Sequence, residues 1–353
     1  MTVISIAGRL VGSGQPPLVV AELSGNHKGE LSRALALVRA AAAAGADAVK
    51  LQTYTADTLT LDHDGPGFRI EGGLWHGRTL HDLYREAHTP WDWHGALFAE
   101  GRRLGLLVFS TPFDETAVTL LESLGAPAYK IASFELVDLP LIQRVAATGK
   151  PMILSTGMAT LEEIGRAVAA ARAAGARELA LLHCVSGYPA PAADYHLRTI
   201  PTLAGTFEVV AGLSDHTLGT ATAVAAVAMG AAIVEKHFTL SRAEGGSDAA
   251  FSLEPAELAA LVEGCRTAWQ AMGEARFGCQ PSEQANLIFR RSLYAVADIP
   301  VGSVLSRESV RSIRPGFGLP PAELPRVLGR RVRVAVARGT PLSWDLLEDP
   351  FRE

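Results

Sequence analysis

A chain of 353 residues can bury a large core and has room for two domains. Its residues are 48% hydrophobic and 20% charged, a globular composition, and a net charge of −5 without any basic block excludes nucleic acid as a partner. No apolar run reaches membrane-spanning length and no basic-then-apolar leader opens the chain, so no membrane is expected and a cytoplasmic location is. The three cysteines, Cys184, Cys265 and Cys279, lack metal-site spacing and suit a reducing compartment. Cys184 sits in an apolar run and reads as a core residue.

Residues 1 to 17 read as a preface, a hairpin around Gly12-Ser13-Gly14. Leu18 to Glu22 is then a buried-type strand, Leu31 to Ala44 a helix stopped by Gly45, and Ala48 to Gln52 a second strand. Lys50 sits inside that apolar strand, which is costly unless the lysine is paired or faces a site. Residues 53 to 89 interrupt the rhythm, and Gly72-Gly73-Leu74-Trp75-His76-Gly77 lies within them. So long a loop is uncommon in a compact domain; it reads as an insertion over the mouth of the site. A helix over 90–104 follows, with Trp91 and Trp93 packed at its start.

The alternation then resumes. Strands are predicted at 106–109, 128–133, 151–154 and 179–182, and helices at 115–124, 139–148 and 161 onward. The helix after Thr160 is opened by a capping box with Glu163. A short helix near 197–204 precedes two more strands, 209–211 and 232–234. These run into Gly212-Leu213-Ser214-Asp215-His216-Thr217 and Glu235-Lys236-His237-Phe238-Thr239, and a helix over 258–272 closes the series. Eight βα units predict a parallel sheet with right-handed crossovers, closed as a (β/α)8 barrel over residues 1–272. An open doubly wound sheet is the weaker reading, and no G-x-G-x-x-G follows the first strand. Residues 273–290 read as a linker. Residues 291–353, short and alternating with many turn residues, read as a small second domain, marginal in size for a core of its own.

In such a barrel the active site is built at the C-terminal ends of the strands. There lie Glu22, Lys50, Gln52, Thr111, Lys130, Ser133, Glu135, Ser155, Ser186, Tyr188, Ser214, His216 and His237. His216 and His237, on neighbouring strand ends, can share a divalent metal and leave positions open for substrate oxygens; the bland reading is two histidines hydrogen-bonded at a rim. Lys50 and Lys130 among hydroxyls make an anion pocket, against strand-end lysines reaching solvent. Glu22 and Glu135 are candidates for acid–base work or for holding substrate hydroxyls, against ion pairs with the lysines. Asp248, in a loop after the last strand, reaches the metal or merely forms a turn. An anion pocket beside an open metal site suits the joining of a phosphorylated, carboxylated substrate to a carbonyl that the metal polarises.

Seven stretches in order give a specific resemblance: Ala21 to His27, Lys50 to Tyr54, Ser110 to Asp114, Tyr129 to Ser133, Leu154 to Met158, Gly212 to Thr217 and Glu235 to Thr239. The chain resembles the sialic acid synthase family, the phosphoenolpyruvate-dependent nonulosonic acid synthases. Its C-terminal part, with Ser312-Ile313-Arg314-Pro315-Gly316, resembles the antifreeze-like (SAF) domain. The resemblance implies attack of phosphoenolpyruvate C3 on the aldehyde of an open-chain N-acetylated amino sugar, addition of water at C2 and loss of phosphate. It implies Mn2+ or Mg2+ on His216 and His237. It assigns phosphoenolpyruvate to Lys50, Thr111, Lys130, Ser133, Ser155, Ser186 and Ser214. It turns Glu22, Gln52, Tyr188 and Asp248 to the sugar or metal-bound water, and Glu135 to proton transfer. Arg314 is expected to contact the sugar's N-acetyl group from a partner subunit, in a domain-swapped homodimer.

Family members that make N-acetylneuraminate typically carry Asn where this chain has Ser186. The sequences at 186–191, 89–94, 250–255 and 313–318 resemble the pseudaminic acid branch, which implies 2,4-diacetamido-2,4,6-trideoxy-L-altrose as the acceptor. The alternatives are an N-acetylneuraminate or legionaminic acid synthase of the same mechanism, a different metal-assisted aldolase, and a non-catalytic carbohydrate-binding protein.

Overall fold

The computed structural model describes residues 2–348. It opens with an antiparallel hairpin of β1 (Val3–Ile6) and β2 (Arg9–Gly12). The turn lies at Ala7-Gly8, not around Gly12-Ser13-Gly14 as expected. A two-residue hairpin loop of type I′ needs positive φ at both positions, and these residues have 48° and 84°. Gly12 instead lies against the neighbouring strand, where a Cβ would meet the Thr2 carbonyl oxygen at 2.4 Å.

Eight parallel strands follow: β3 (Leu18–Glu22), β4 (Ala48–Thr53), β5 (Leu107–Pro112), β6 (Tyr129–Ile131), β7 (Met152–Ser155), β8 (Leu179–Cys184), β9 (Val210–Asp215) and β10 (Ile233–His237). They close into a barrel, β10 pairing with β3. Each is followed by its helix, from Leu31–Ala43 after β3 to Pro255–Met272 after β10. The expected capping box of Thr160 and Glu163 opens the helix Leu161–Ala173.

The two-residue period of a strand sends alternate side chains into the barrel and out to the helices. Leu18, Val20, Ala48, Phe109, Ile153, Leu182 and Ile233 fill the interior. Val19, Val49, Val108, Leu154 and Val234 join the larger core under the helices. The hairpin's Ile4, Ile6 and Val11 belong to the interior core and close the N-terminal end of the barrel. There Ser5 N–H donates to Glu178 (2.7 Å), and Arg9 pairs with Asp47 (2.7 Å), just before β4. At the other end the inward parity continues into polar residues.

The long segment after β4 holds a short helix Ala56–Leu59, a flap over 68–80 and a helix Leu80–Ala87. The flap is a small antiparallel loop. Leu80 N–H donates to the Phe68 carbonyl (2.8 Å), Ile70 to Arg78 (2.9 Å) and Gly77 to Ile70 (2.9 Å).

Residues through Gly273 form one compact unit and those from Glu274 onward a second. The second holds β11 (Ser292–Ala295) paired with β12 (Val310–Ile313). It has a core of its own in Leu293, Ile299, Leu305, Val310, Val327, Val332 and Leu342. Residues 349–353 of the segment expected to run over 291–353 lie outside the described residues. No helix among the described residues is long and apolar enough to cross a membrane.

Candidate active site

Inward parity at the C-terminal ends of the strands brings together the residues that the sequence pointed to. Glu22, Lys50, Thr111, Lys130, Ser155, Ser214, His216 and His237 are all buried there, with Gln52 half-buried beside them. Lys50 Nζ lies 2.5 Å from Glu22 Oε2 and donates to Thr111 Oγ1 at 3.1 Å. Lys130 Nζ donates to Ser155 Oγ at 2.7 Å. Gln52 Nε2 donates to Glu22 Oε1 at 3.0 Å. Ser133 and Ser186, on the loops after β6 and β8, share a 2.8 Å hydrogen bond.

The sequence reading missed the group at the centre. Glu235 lies 3.9 Å from Lys50 and 3.8 Å from Lys130 and accepts from Ser214 Oγ at 3.1 Å. Its signal was present: it stands two residues before His237, hence on the same face of β10. Cys184 is buried, as expected of a core residue. It shares inward parity with Leu182, so it faces the site rather than the core under the helices, with Sγ 3.8 Å from Ser186 Oγ and 4.0 Å from His216 Nδ1.

Two buried cations thus meet two buried carboxylates. Burial alone would lower the Lys50 pKa, but Glu22 and Glu235 outweigh it and hold the ammonium above its ordinary range. For Lys130 burial wins and the pKa falls, opposed by Glu235. Burial would raise Glu235, but Lys130 and Lys50 bring it below the ordinary carboxylate value. Glu22 pairs with Lys50, yet for its own carboxyl burial outweighs that lysine and raises the pKa, so the contact coexists with a carboxyl that holds its proton more readily than usual. Glu135 differs. It lies in the turn Phe134–Val137 after β6, its Oε2 has no hydrogen-bond partner, and burial pushes it up to about 7.

His216 and His237 stand with ring centroids 5.4 Å apart. His216 Nδ1 lies 2.8 Å from the Val185 carbonyl, which accepts only from an N–H. Nε2 is left with its lone pair, the tautomer a metal-binding histidine needs. His237 Nδ1 is buried without a partner, and burial followed by the nearby His216 holds its pKa well below the ordinary value. Two neutral imidazoles, one with an orphaned nitrogen, fit a divalent cation. Among the described residues no third histidine, cysteine or carboxylate completes a tight cluster. The nearest carboxylate is Asp248, whose Oδ2 lies 3.9 Å from His237 Nδ1. Asp248 is no mere turn former. It accepts from Ser24 Oγ, and burial pushes its pKa up to about 6.

Behind these strands, with outward parity, Asp215 and Lys236 form an ion pair of 2.7 Å with both side chains at 0% exposure. Lys236 Nζ also donates to the Thr217 carbonyl (2.5 Å), and Asp215 accepts from Thr217 N–H (2.8 Å). This buried link joins the two histidine-bearing strands.

Aromatic rings wall the mouth. Tyr188 lies 4.4 Å from His216 and 5.4 Å from Phe251, which in turn lies 4.9 Å from His237. Trp75, from the flap, lies 6.0 Å from Tyr188. Phe251 and Trp75 were not singled out as site residues, because loop residues carry no periodicity to mark them. Arg314 belongs to the second unit, exposed just past β12.

Comparison with known proteins agrees with this architecture. The chain is 41% identical over 335 residues to the pseudaminic acid synthase of Helicobacter pylori, covering 95% of this chain and 98% of that protein. It is 35% identical over 344 residues to the N,N'-diacetyllegionaminic acid synthase of Legionella pneumophila, covering 96% of each. Among solved structures, the N-acetylneuraminic acid (sialic acid) synthetase of Leptospira borgpetersenii, in complex with citrate, superposes with a TM-score of 0.72. It is 32% identical, with 81% of this chain and 95% of that one covered. The SAF domain matches residues 290–348. With the NeuB family matched over residues 37–277, most of the barrel unit, the chain belongs to the NeuB family.

Proposed function

We propose that this protein is a pseudaminic acid synthase, which condenses phosphoenolpyruvate with 2,4-diacetamido-2,4,6-trideoxy-L-altrose and water to give pseudaminic acid and phosphate. One observation carries the chemistry: a buried lysine pair ringed by hydroxyls lies directly beside a pair of neutral imidazoles. The choice of sugar is supported by the 41% identity to a relative of that activity, against 35% for the legionaminic acid relative, and by Ser186.

Lys50 and Lys130 bind the phosphate and carboxylate of phosphoenolpyruvate, with Thr111, Ser133, Ser155, Ser186 and Ser214 supplying hydrogen bonds. Glu22 and Glu235 keep Lys50 charged before the anion arrives. His216 and His237 would hold Mn2+ or Mg2+, which would supply Lewis-acid polarisation of the acceptor aldehyde. The C2=C3 electron pair of phosphoenolpyruvate forms the bond to the aldehyde carbon, whose oxygen becomes a hydroxyl; water adds to C2, and collapse to the C2 carbonyl breaks the C2–O bond so that phosphate leaves with the electron pair, the two protons of the water ending on the new hydroxyl and on phosphate. Glu135, pushed up to about 7, accepts the proton that the attacking water gives up. Gln52, Tyr188 and Asp248 face the sugar together with Glu22. Arg314 comes from the second unit of a partner subunit in a domain-swapped homodimer and contacts an N-acetyl group.

The test is phosphate release from phosphoenolpyruvate with Mn2+, comparing this acceptor with N-acetylmannosamine and the gluco/manno diacetamido isomer. A His237→Ala variant is the control. Release with the altrose alone, lost in the variant, is expected. Release with another sugar only would keep the mechanism and overturn the choice of sugar. Release with none would overturn the reading.

A further inference from the structure

His216 stands one residue past β9, beyond the last rungs that tie that strand to its neighbours, Ser214 opposite Cys184 and Asp215 opposite Lys236. It is 4% exposed, so its main-chain groups need partners from elsewhere. The loop after β8 supplies them all. Tyr195 Oη accepts from His216 N–H at 2.6 Å, Ala190 N–H donates to the His216 carbonyl at 3.1 Å, and the Val185 carbonyl lies 2.8 Å from Nδ1. Tyr195 is itself fixed. It is buried, its hydroxyl donates to the Ser214 carbonyl (3.4 Å) and its N–H to the Ala192 carbonyl (3.2 Å), and its own carbonyl accepts from His183 Nε2. His237 is held differently, inside β10 and opposite Glu22 of β3, with its carbonyl accepting from Leu253 N–H at 2.8 Å. The two imidazoles therefore hang on separate parts of the rim.

We propose that Tyr195 is a positioning residue for His216, its hydroxyl fixing the main chain from which Nε2 is aimed at the divalent cation. The inference rests on the reading that His216 and His237 share that cation. The bond to Val185 sets the tautomer, but alone it leaves the ring free to swing about Nδ1; the two main-chain bonds remove that freedom. A metal–nitrogen bond of about 2.0–2.1 Å tolerates a displacement of only about 0.5 Å. A phenol suits the post because one atom both accepts and donates, serving the N–H of His216 and the carbonyl of Ser214 together. With the hydroxyl removed, His216 N–H becomes a buried donor without a partner, and one of the two ties on its main chain is gone. Tyr195 acts through His216 and is not itself a catalytic residue.

The experiment titrates Mn2+ into the full-length protein without substrates and reads free Mn2+ by electron paramagnetic resonance. Tyr195→Phe, which keeps the ring and loses the hydroxyl, should raise the Mn2+ Kd about 10-fold. Saturating Mn2+ should return its kcat to within about 3-fold of wild type, with the phosphoenolpyruvate KM unchanged. Tyr129→Phe is the structural control. It loses a phenol bond of 2.5 Å to Glu122, on the helix Glu115–Ser123, and should leave the Mn2+ Kd unchanged. Should Tyr195→Phe not fold, hydrogen exchange on the wild type decides, since Mn2+ should slow exchange over 188–196 as well as over 212–218. An unchanged Kd in Tyr195→Phe, a Kd raised equally in both variants, or protection confined to 212–218 would overturn the role of Tyr195 and leave the proposed function standing. Wild-type Mn2+ binding that survives His237→Ala would remove the cation from these histidines and overturn this inference together with that part of the proposed function.

Discussion

Asp215→Asn isolates the buried link behind the two histidine strands. Both partners have 0% side-chain exposure, so the variant removes the only charge paired with the Lys236 ammonium and leaves it neutral acceptors, the new amide oxygen and the carbonyl and hydroxyl of Thr217. Burial already pulls the Lys236 pKa below its ordinary value, with Asp215 opposing it. Removing one member of such a pair costs about 3–5 kcal/mol, because the other charge stays buried and uncompensated. For a unit of this size that corresponds to a fall in melting temperature of about 10 °C. Scanning calorimetry at pH 7 measures it. The double variant Asp215→Leu/Lys236→Met should return to within about 2 kcal/mol of wild type, since replacing a whole buried pair by apolar groups is often neutral. It should still bind Mn2+ more weakly, by about 10-fold, because the strand ends carrying His216 and His237 lose their tie. A single variant as stable as wild type would refute the reasoning, as would a double variant no better than the single.

Glu135→Gln should remove the inflection near pH 7 from the kcat profile. Its folded-state pKa is raised, so wild-type stability is fully present below about 4.5 and falls as pH rises through about 7. The glutamine variant escapes that loss and should gain roughly 3 kcal/mol over wild type at pH 8, relative to pH 4, in denaturant titrations. Glu235→Gln removes a carboxylate that raises both Lys50 and Lys130, so the alkaline loss of phosphoenolpyruvate binding should begin at lower pH, seen in KM against pH. Chelation by EDTA should abolish turnover and added Mn2+ restore it, with circular dichroism unchanged; turnover that survives chelation would remove the metal from the proposal.

The barrel and its polar rim were legible because a strand's period is strict. Once Leu18-Val19-Val20-Ala21-Glu22 is a strand with a buried Leu18, Glu22 must face inward, and Lys50, Lys130 and His237 follow by the same count. Glu235 was legible by that rule and was passed over. The Asp215–Lys236 pair was not, because it depends on the register that sets Lys236 opposite Asp215 across β9 and β10. Trp75 and Phe251 lie in loops whose course is set by contacts distant in sequence, such as the indole to Ser247. The hairpin turn was misplaced for a local reason. Gly12-Ser13-Gly14 has turn composition, yet Ala7-Gly8 supplies the left-handed pair that the two strands require.

The hairpin that closes the N-terminal end of the barrel has a kinetic consequence. With Ile4, Ile6 and Val11 filling that end, substrates reach the bowl from the opposite end, where the flap and Tyr188 lie. The lysine layer lies deepest and the aromatic wall outermost. On the proposed function, phosphoenolpyruvate enters before the sugar, which then covers it. The nine-carbon product stands between inorganic phosphate and solvent and departs first. Binding and release are thus ordered by depth alone, with the last product out occupying the place of the first substrate in.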